Sequence, residues 1–334
     1  MNCCLDCFID TEIRAIISGL SNTKGRCDIC EATHLGIVDI EDLSDYFSPI
    51  LDLYERDDSS TISIHQKLAS DWNIFANENC SKKILQAMFS DSSYNDLLTH
   101  SIKPNYIDNT ESIEIWNEFT EEIKAKNRFF ITNNLFVRDV VEKLLKYHTF
   151  VLRSGKKLYR GRISDSSSGL PVAELGAPPS TKARSGRANP QGISYLYLAD
   201  TEETTLYEVR ASFLDYVSIG EFELNEDVKI VALRDVNSIS PFLPDLDLKE
   251  YASNKNILFQ FGSALSKPLR RIDSDLEYLP TQYLCEYIKS LGIDGVEYTS
   301  AMHSGGINYA FFDESKFKPV RVFTKEVKKI LIET

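Results

Sequence analysis

The chain from residue 151 onward contains arginines, tyrosines, a glutamate and serines, which are side-chain types that can bind a phosphate and act on a group attached to it. Arg160 lies in LYRGR, and Arg187 directly precedes the turn sequence Asn-Pro-Gln-Gly. Tyr197 and Glu208 follow, and Ser300 comes later, in YTSAMHSGG. Guanidinium groups form forked, charge-assisted hydrogen bonds to phosphate. The order of residue types therefore indicates an anionic ligand held beside an aromatic ring and a carboxylate.

The arginines belong to a basic segment of an acidic chain. The chain of 334 residues has a formal net charge of -13, whereas residues 151–192 contain eight basic and two acidic residues, a local charge of +6. A charge run alone is typical of a solvated surface, but the neighbouring aromatic and acidic residues favour an anion-binding patch. Two choices stay open: Arg184 is an alternative to Arg187 as a phosphate ligand, and Ser304 is an alternative to Ser300.

A strand is predicted in GISYLYLAD. Side chains alternate between the two faces of a strand, so Leu196 and Leu198 share one face and Tyr195 and Tyr197 the other. If the leucines belong to the core, both tyrosines face a cleft.

A short helix is predicted to follow this strand. Asp200 or Thr201 is expected to cap it, with Glu203 at the third position from Asp200 as in a capping box. Glu208 then lies on the second turn.

The dinucleotide NAD+ matches this set of side chains. It offers a pyrophosphate to arginines, a cationic pyridinium ring to an aromatic face, and ribose hydroxyls to a carboxylate and a serine. Cleavage of its nicotinamide–ribose bond needs no general acid, because the cationic leaving group departs neutral. A carboxylate bound to the 2′-hydroxyl can stabilise the positive charge that moves to the ribose. One glutamate is therefore sufficient.

The stretch from LYRGR through RANPQGISYLYLADTEETTLYE to DGVEYTSAMHSGGINYAFFD resembles the RES domain, over residues 151–325. In the order of the family's two arginines, strand tyrosine, glutamate and serine, the matching positions are Arg160, Arg187, Tyr197, Glu208 and Ser300. The resemblance implies an ADP-ribosyltransferase-like fold and a toxin that consumes NAD+ by hydrolysis, phosphorolysis or ADP-ribosyl transfer to a protein. It also implies a helix-turn-helix antitoxin as partner.

These observations predict an NAD+-consuming toxin in which Glu208 is the electrostatic catalyst. Arg160 and Arg187 are expected on the phosphates, Tyr197 against nicotinamide and Ser300 in ligand binding. The alternative is a nucleotide-sensing binding module whose cysteine-rich and helical parts recognise nucleic acid or a protein partner, although the acidic charge argues against nucleic acid. A third hypothesis is RNA cleavage by the helical region.

The first thirty residues contain two Cys-x-x-Cys pairs, Cys4 with Cys7 and Cys27 with Cys30. Nineteen residues separate the pairs, which is typical of a four-cysteine zinc site, and Gly25 suits a tight turn before the second pair. Cys3 and Asp10 are close in sequence and are additional candidate ligands. Four thiolates leave no open position for water, so we expect a structural zinc. Reduced, partly buried thiols are the alternative.

The cysteine spacing, the apolar patterns and the resemblance to the RES domain together predict three domains. These are a zinc knuckle over 1–40, an α-helical domain over 41–150 and an α+β RES domain with a mixed, largely antiparallel, ADP-ribosyltransferase-like sheet over 151–334. Helices are expected over 43–56, 65–76, 113–126 and 135–150, and near 248–265 and 280–291. Strands are expected in KKLYRGRIS, GISYLYLAD, YVSIGEFEL, VKIVALRD, DGVEYTS, INYAFFD and KPVRVFT.

The cysteine-rich and helical front part also resembles an extension of a RES subgroup labelled HEPN-like. That label implies an Arg-x4-6-His ribonuclease motif, which the sequence lacks, because Arg138 to His148 and Arg56 to His65 are both too far apart. We interpret both histidines as ordinary buried or surface residues.

Composition limits the class of protein to which the chain can belong. The chain is 43% hydrophobic and 26% charged, as in globular proteins. The N-terminal segment MNCCLDCFIDTEIR has no basic n-region, and no apolar run reaches membrane-spanning length. We expect a cytoplasmic protein without membrane contact, and a homo-oligomer is compatible with the sequence.

Overall fold

The computed structural model of the protein describes residues 1–106, 109–132, 134–234, 236, 239–268 and 275–329. The chain divides into two compact units, one comprising Met1–Ser112 with Val236–Asn256 and the other Ile113–Asp235 with Ile257–Thr334. The domain boundaries expected at residues 40 and 150 remain predictions, and neither coincides with a boundary of these units. Residues 113–150 belong to the second unit, where their last helix runs directly into the large sheet.

The first unit combines short strands with helices. Its helices are α1 (Thr11–Leu20), α2 (Ser44–Leu51), α3 (Ile64–Asp71), α4 (Glu78–Phe89) and α5 (Asn95–Thr99). Its strands are β1 (Asn2–Cys4), β2 (Thr23–Gly25), β3 (Leu35–Asp39), β4 (Tyr54–Arg56) and β5 (Ile102–Pro104). They form a three-stranded sheet in the order β1-β3-β2 and a two-stranded antiparallel sheet of β4 and β5. The cysteine-rich segment is thus built on a small sheet.

The second unit contains most of the remaining elements. Its helices are α6 (Asn109–Glu121), continued by a π-helical turn over Glu122–Lys126, then α7 (Asn134–His148), α8 (Glu202–Glu208), α9 (Leu248–Ser266) and α10 (Leu279–Ser290). The first residues of α6 and of α9 belong to the first unit. Its strands are β6 (Thr149–Leu152), β7 (Lys157–Ser164), β8 (Leu196–Ala199), β9 (Tyr216–Leu224), β10 (Val228–Ala232), β11 (Gly295–Thr299), β12 (Ile307–Phe311) and β13 (Phe317–Glu326). Across the chain, 3-10 helices also cover Leu5–Cys7, Ile40–Leu43, Val172–Glu174, Ser180–Lys182, Asp275–Tyr278 and Glu314–Lys316.

One sheet organises the second unit. Its eight described strands run in the order β13-β9-β7-β8-β12-β11-β10-β6, and only the β10–β11 pair is parallel. The expected α+β class with a largely antiparallel sheet is therefore confirmed, as are the seven strands predicted from residue 157 onward. Strand β6 was not predicted. The helical pattern was extended to residue 150, but β-branched and aromatic residues begin the strand at Thr149.

Two of the predicted helices end earlier than expected. Helix α3 begins with a capping box between Ser63 and Gln66. It ends at Asp71, before the predicted end at residue 76, and Asn73 has a φ of 51°, which a continuing right-handed helix cannot contain. Helix α2 ends at Leu51, and the last predicted residues of that helix form β4 instead.

Strand β8 was predicted to place its leucines in the core and its tyrosines in a cleft, and the leucine part of this prediction is confirmed. Leu196 and Leu198 belong to one cluster of buried apolar side chains together with residues of β7, β9, β10 and β12. Tyr195 does not face a cleft as expected. It is 2% exposed, donates its hydroxyl to Glu286 of α10 and packs against Phe312. A helix that covers one end of the strand thus buries the first tyrosine.

No helix among the described residues has both the length and the apolar character needed to span a bilayer.

Candidate active site

Four of the five residues expected in the site line a single pocket of about 340 Å³ in the second unit. They are Arg160, Arg187, Tyr197 and Glu208. The other lining residues are Tyr159, Gly161, Leu198, Ala199, Thr205, Val209, Tyr298 and Asn308. Ser300 is not part of the lining but hydrogen-bonds to Glu208. The structure therefore brings all five predicted residues together.

Neighbouring strands supply the floor of this pocket. Arg160 lies on β7 and Tyr197 on β8, and these strands pair through Tyr159 and Ala199. The next strand, β12, places Asn308 opposite Ala199. Because strand order decides which side chains become neighbours, residues far apart in sequence converge here.

Helix α8 carries Glu208 as its last residue and packs against β7 at Gly161. A Cβ atom at this glycine would lie 2.7 Å from Thr205 Cγ2 and 2.8 Å from Val209 Cγ1. Both distances are shorter than ordinary carbon–carbon contacts. The absence of a side chain at Gly161 therefore lets α8 lie directly on the strand that carries Arg160.

The N-terminus of α8 settles the choice of cap. Thr201 is the N-cap, and its Oγ1 accepts a hydrogen bond of 3.0 Å from the Thr204 amide. Asp200 instead accepts a 2.7 Å bond from the Thr204 hydroxyl. The capping box expected between Asp200 and Glu203 was wrong, because the helix begins one residue later.

The two carboxylate oxygens of Glu208 have different surroundings. Oε1 accepts hydrogen bonds of 2.7 Å from Ser300 Oγ and 2.7 Å from Asn308 Nδ2. Oε2 lies 3.6 Å from Nη2 of Arg187. One oxygen is therefore held by two neutral donors, and the other lies beside a cation.

Ser300 can orient Glu208 because its own hydroxyl has a fixed direction. Its Oγ accepts bonds of 3.2 Å from the Met302 amide and 3.1 Å from the His303 amide. A serine hydroxyl has one proton and two lone pairs, so its proton is left for Glu208. Ser304, the alternative serine, is exposed.

Arg187 is the arginine that reaches the carboxylate. It lines the pocket, whereas Arg184 is exposed and does not. Burial acts against the charged form of Arg187, but Tyr298 and Glu208 beside it raise its pKa above the usual value. The arginine is thus a fixed cation at this position.

The Asn-Pro-Gln-Gly turn that follows Arg187 is organised by Asn189, which is 5% exposed. The Asn189 side-chain amide donates to the carbonyls of Arg184, Pro190 and Ile193, at 3.0, 3.1 and 2.8 Å.

Tyr197 ties the same turn to strand β8. Asn189 Oδ1 accepts a 2.7 Å bond from the Tyr197 hydroxyl, and that hydroxyl accepts a 3.0 Å bond from the Ala188 amide. Burial raises the pKa of Tyr197, so its hydroxyl stays protonated. Since this hydroxyl is engaged, the ring is the part of Tyr197 that remains for a ligand.

Arg160 is a half-buried cation without a carboxylate at salt-bridge distance among the described residues. Its Nη1 donates a 3.0 Å bond to the Gly176 carbonyl, which also accepts a 3.1 Å bond from Arg162. Burial, and secondarily the charge of Arg162, lower the pKa of Arg160 to about 10. Two guanidinium groups that share one carbonyl form a site suited to an anion.

Asn308 and Tyr298 are pocket residues that the sequence interpretation missed. Asn308 is a polar residue inside the apolar strand INYAF, and it is 5% exposed. A polar side chain at a buried strand position requires a partner, and that signal could have identified it. No such signal in the sequence distinguishes Tyr298 from the other tyrosines of the chain.

In the first unit, the cysteine cluster forms as predicted. The sulfur atoms of Cys4, Cys7, Cys27 and Cys30 all lie within 4.8 Å of one another. Cys4 and Cys30 are 3.5 Å apart, as are Cys7 and Cys27. A tetrahedral zinc with bonds of about 2.3 Å separates its sulfurs by about 3.8 Å, so the cluster fits such an ion.

Backbone amides support this cluster. The amides of Ile29 and Cys30 each donate a 3.4 Å bond to Cys27 Sγ. Asp10 lies outside the group and caps α1, and Cys3 is buried outside it. Gly25 does not form the expected tight turn. It ends β2, where a Cβ would lie 2.6 Å from Ile37 Cδ1.

His65 and His148 are both buried, and neither lines the active-site pocket. His65 Nδ1 lies 3.0 Å from Ser81 Oγ, and burial lowers its pKa. Burial lowers the pKa of His148 to about 4. We therefore assign no catalytic role to His65 or His148.

Comparison with known proteins identifies one family. Residues 158–329, just over half of the chain, match the family model of the RES domain. The match starts after the helical region, so the HEPN-like resemblance of the front part remains a prediction. The crystal structure of the M. tuberculosis MbcT-MbcA toxin-antitoxin complex is similar with a TM-score of 0.34 and 12% identity, covering 57% of this chain and 93% of that chain. No curated protein matches the chain significantly.

Proposed function

The chain belongs to the RES domain family, and from this premise we propose that it is a toxin that consumes NAD+ by cleaving the bond between nicotinamide and ribose. One observation carries the proposal. A carboxylate with one oxygen held by two neutral donors lies in the same pocket as two arginines and a tyrosine. This arrangement matches the charge that develops when a cationic ring leaves a sugar.

Glu208 would stabilise the ribosyl cation. When the glycosidic bond breaks, its electron pair moves to the nicotinamide nitrogen, and C1′ of the ribose gains positive charge. The 2′-hydroxyl would donate to Oε2 of Glu208, since Oε1 already accepts from Ser300 and Asn308. A preorganised carboxylate stabilises such a transition state without reorganising.

The arginines would bind the pyrophosphate. Arg160 donates to the Gly176 carbonyl together with Arg162, and no carboxylate among the described residues lies within salt-bridge distance of it. Arg187 already has Glu208 beside it, and its backbone carbonyl accepts a hydrogen bond from Thr281. A phosphate oxygen between the two guanidinium groups would provide charge-assisted hydrogen bonds to both.

Tyr197 would present its ring to nicotinamide. Its hydroxyl is bonded to Asn189 and to the Ala188 amide, so the ring orientation is fixed before a ligand arrives. An aromatic face attracts the cationic pyridinium of the substrate more than the neutral product. The acceptor of the ribosyl group in this proposal is water, phosphate or a protein side chain.

The family membership supports the proposed partner, and the geometry of the cysteine cluster supports the proposed metal. RES-domain toxins are paired with antitoxins, so we propose a helix-turn-helix antitoxin for this chain. The cysteine cluster of the first unit would hold one structural zinc through Cys4, Cys7, Cys27 and Cys30. Four thiolates complete a tetrahedral zinc, which makes this a structural role.

The decisive experiment measures nicotinamide released from NAD+ by the purified full-length protein. Glu208→Gln keeps the size of the side chain but removes its charge, and we expect kcat to fall by about 10²–10³-fold. The matched control is Glu203→Gln, on the same helix, where the side chain is 69% exposed. The control is expected to retain the wild-type rate.

Two results would contradict the proposal: no nicotinamide release by the wild-type protein, or an undiminished rate in Glu208→Gln. Saturable NAD+ binding without release would favour the nucleotide-sensing module instead.

A further inference from the structure

A second cavity in the same unit has a volume of about 450 Å³. It is lined by α6 and its π-helical continuation, by the C-terminal part of α9, and by the turn that leads into α10. The α6 residues precede residue 158, so this wall comes from outside the family match. The site described above uses none of the residues that line this cavity.

An unpaired hydroxyl lies in the wall of this cavity. Thr120 Oγ1 is buried and has no hydrogen-bond partner among the residues that the structure describes. Burying a hydroxyl without a partner is unfavourable, and native proteins rarely do so. In its present rotamer the Oγ1 atom is closed off from the cavity, so a polar group of a ligand satisfies it after a rotation of the Thr120 side chain about χ1.

The chemistry of the lining is that of a nucleotide site. Trp116 and Tyr278 contribute aromatic surface for a base, and Gln260 contributes an amide that can both donate to and accept from a base edge. Lys124 and Lys267 contribute positive charge for a phosphate, with Lys124 also 2.8 Å from Glu277. An apolar ligand would leave the lysines and the threonine unused.

Arg187 forms a link between the two cavities. Its Nη2 lies 3.6 Å from Glu208, in the first pocket. Its Nη1 donates a 3.4 Å bond to the carbonyl of Ser266, the residue directly before Lys267. Its backbone carbonyl accepts a 2.5 Å bond from Thr281, next to the turn that contains Tyr278. Arg187 therefore lines the first pocket and is hydrogen-bonded to residues that are next to, or one turn from, lining residues of the second cavity.

The size of the first pocket leaves part of the substrate unplaced. Its 340 Å³ is close to the lower end, about 300 Å³, of the volumes that ligand sites have. A dinucleotide contains two nucleosides joined by a pyrophosphate, and a second volume near the phosphate-binding arginine offers room for the other half.

We propose that the second cavity binds the adenosine-phosphate half of NAD+, while Arg187 holds the pyrophosphate between the two halves. The inference rests on the proposed function, because it assigns a place to the second half of the same substrate. Tyr278 and Trp116 contact the adenine, and Thr120 and Gln260 bond to its polar edge or to its ribose. Lys267 contacts the adenosine phosphate.

The test compares NAD+ with nicotinamide mononucleotide, which has the scissile bond but lacks the adenylate half. For Thr120→Val and Lys267→Ala we expect KM for NAD+ to rise about 3- to 10-fold, as for the loss of one hydrogen bond or one charged contact. Both variants are expected to keep kcat, and to keep both constants for nicotinamide mononucleotide. The matched control is Lys318→Ala, an exposed lysine on β13, which changes neither substrate.

The outcomes separate the two proposals. Cleavage of both substrates by the wild type and of neither by Glu208→Gln supports the proposed function, whichever way the cavity variants behave. Equal effects of the cavity variants on both substrates, or none, overturn the second-cavity assignment alone. AMP binding that Lys267→Ala weakens, with an unchanged KM for NAD+, also overturns it, since the cavity would then be a separate nucleotide site.

If the wild type cleaves neither substrate, the proposed function fails and calorimetric titration with ADP-ribose decides the cavity assignment. Binding that Thr120→Val and Lys267→Ala weaken supports it, and binding that they leave unchanged overturns it.

Discussion

The cysteine cluster and the active-site pocket are assembled from residues at very different separations along the chain. Each half of the cluster is a Cys-x-x-Cys pair, and all four cysteines lie within the first thirty residues. The pocket takes Arg160 from β7, Tyr197 from β8, Asn308 from β12 and Glu208 from α8. A spacing motif is therefore enough to specify the first site, whereas the second depends on which strands become neighbours.

The two sites are expected to fail for different reasons. A four-thiolate site depends on its metal, because a small cysteine-rich segment buries little apolar surface. The pocket depends on the contact between helix α8 and strand β7, because that contact sets the position of Glu208. Perturbing each feature separately tests whether this contrast is correct.

The largest effect is expected from removing the metal ligands. Elemental analysis of the wild-type protein should show about one zinc per chain, and the double variant Cys4→Ser/Cys27→Ser should contain none. Structural zinc contributes on the order of 10 kcal/mol in small zinc-dependent folds, so we expect the first unit of the double variant to lose its thermal unfolding transition.

Cys3→Ala is the matched control for this experiment, because Cys3 is fully buried in β1 but lies outside the cluster. It should lose about 1–2 kcal/mol of stability through lost packing and keep the metal. A wild-type protein that folds without zinc, or a double variant as stable as the wild type, would show that the thiols are merely reduced and buried.

The next effect is expected at the contact that positions Glu208. Gly161→Val introduces atoms where Thr205 and Val209 already lie, at 2.7 and 2.8 Å from the first added carbon. Helix α8 must shift, and we expect kcat for nicotinamide release to fall by about 10²-fold, since misplacing a catalytic group by about 1 Å has this cost.

Gly19→Ala provides the comparison for Gly161→Val, because no atom lies within 4 Å of a Cβ at Gly19 in helix α1. It should leave the rate unchanged and add up to about 1 kcal/mol of stability. Wild-type kcat in Gly161→Val would mean that the α8–β7 contact does not control the site.

The smallest effect is expected from the titration of His148 in the second unit. Burial lowers its folded-state pKa from 6.5 to about 4. The unfolded chain therefore binds more protons than the folded chain between these values, and stability is lost as the pH falls from about 6.5 toward 4. Between pH 7.5 and pH 5 this loss amounts to about 2 kcal/mol.

His148→Gln removes this titration, so its free energy of unfolding should vary less with pH than that of the wild type. Chemical denaturation of both proteins at the two pH values measures the difference. Identical pH dependence in the two proteins would show that His148 is not buried in the neutral form, and that its side chain is accessible to solvent.

Predictions from the sequence were most successful where side-chain type or local period is decisive. All seven predicted strands of the large sheet formed, because alternating apolar residues identify a strand that is buried on one face. The predictions failed where a neighbouring element decides. Tyr195 is covered by α10, β6 replaces the end of a predicted helix, and Asn308 becomes a partner of Glu208 only when β12 pairs with β8.

The spacing of the cysteines was sufficient to predict the cysteine cluster, because four thiols in two Cys-x-x-Cys pairs follow a local pattern. The resemblance to the RES domain predicted which arginines, tyrosine, glutamate and serine come together in the pocket. The tertiary structure decided between Arg187 and Arg184 and between Ser300 and Ser304. It also revealed the second cavity beside Arg187. The reason is physical: strand register and helix packing bring together atoms that are far apart in the chain, and local sequence does not encode those distances.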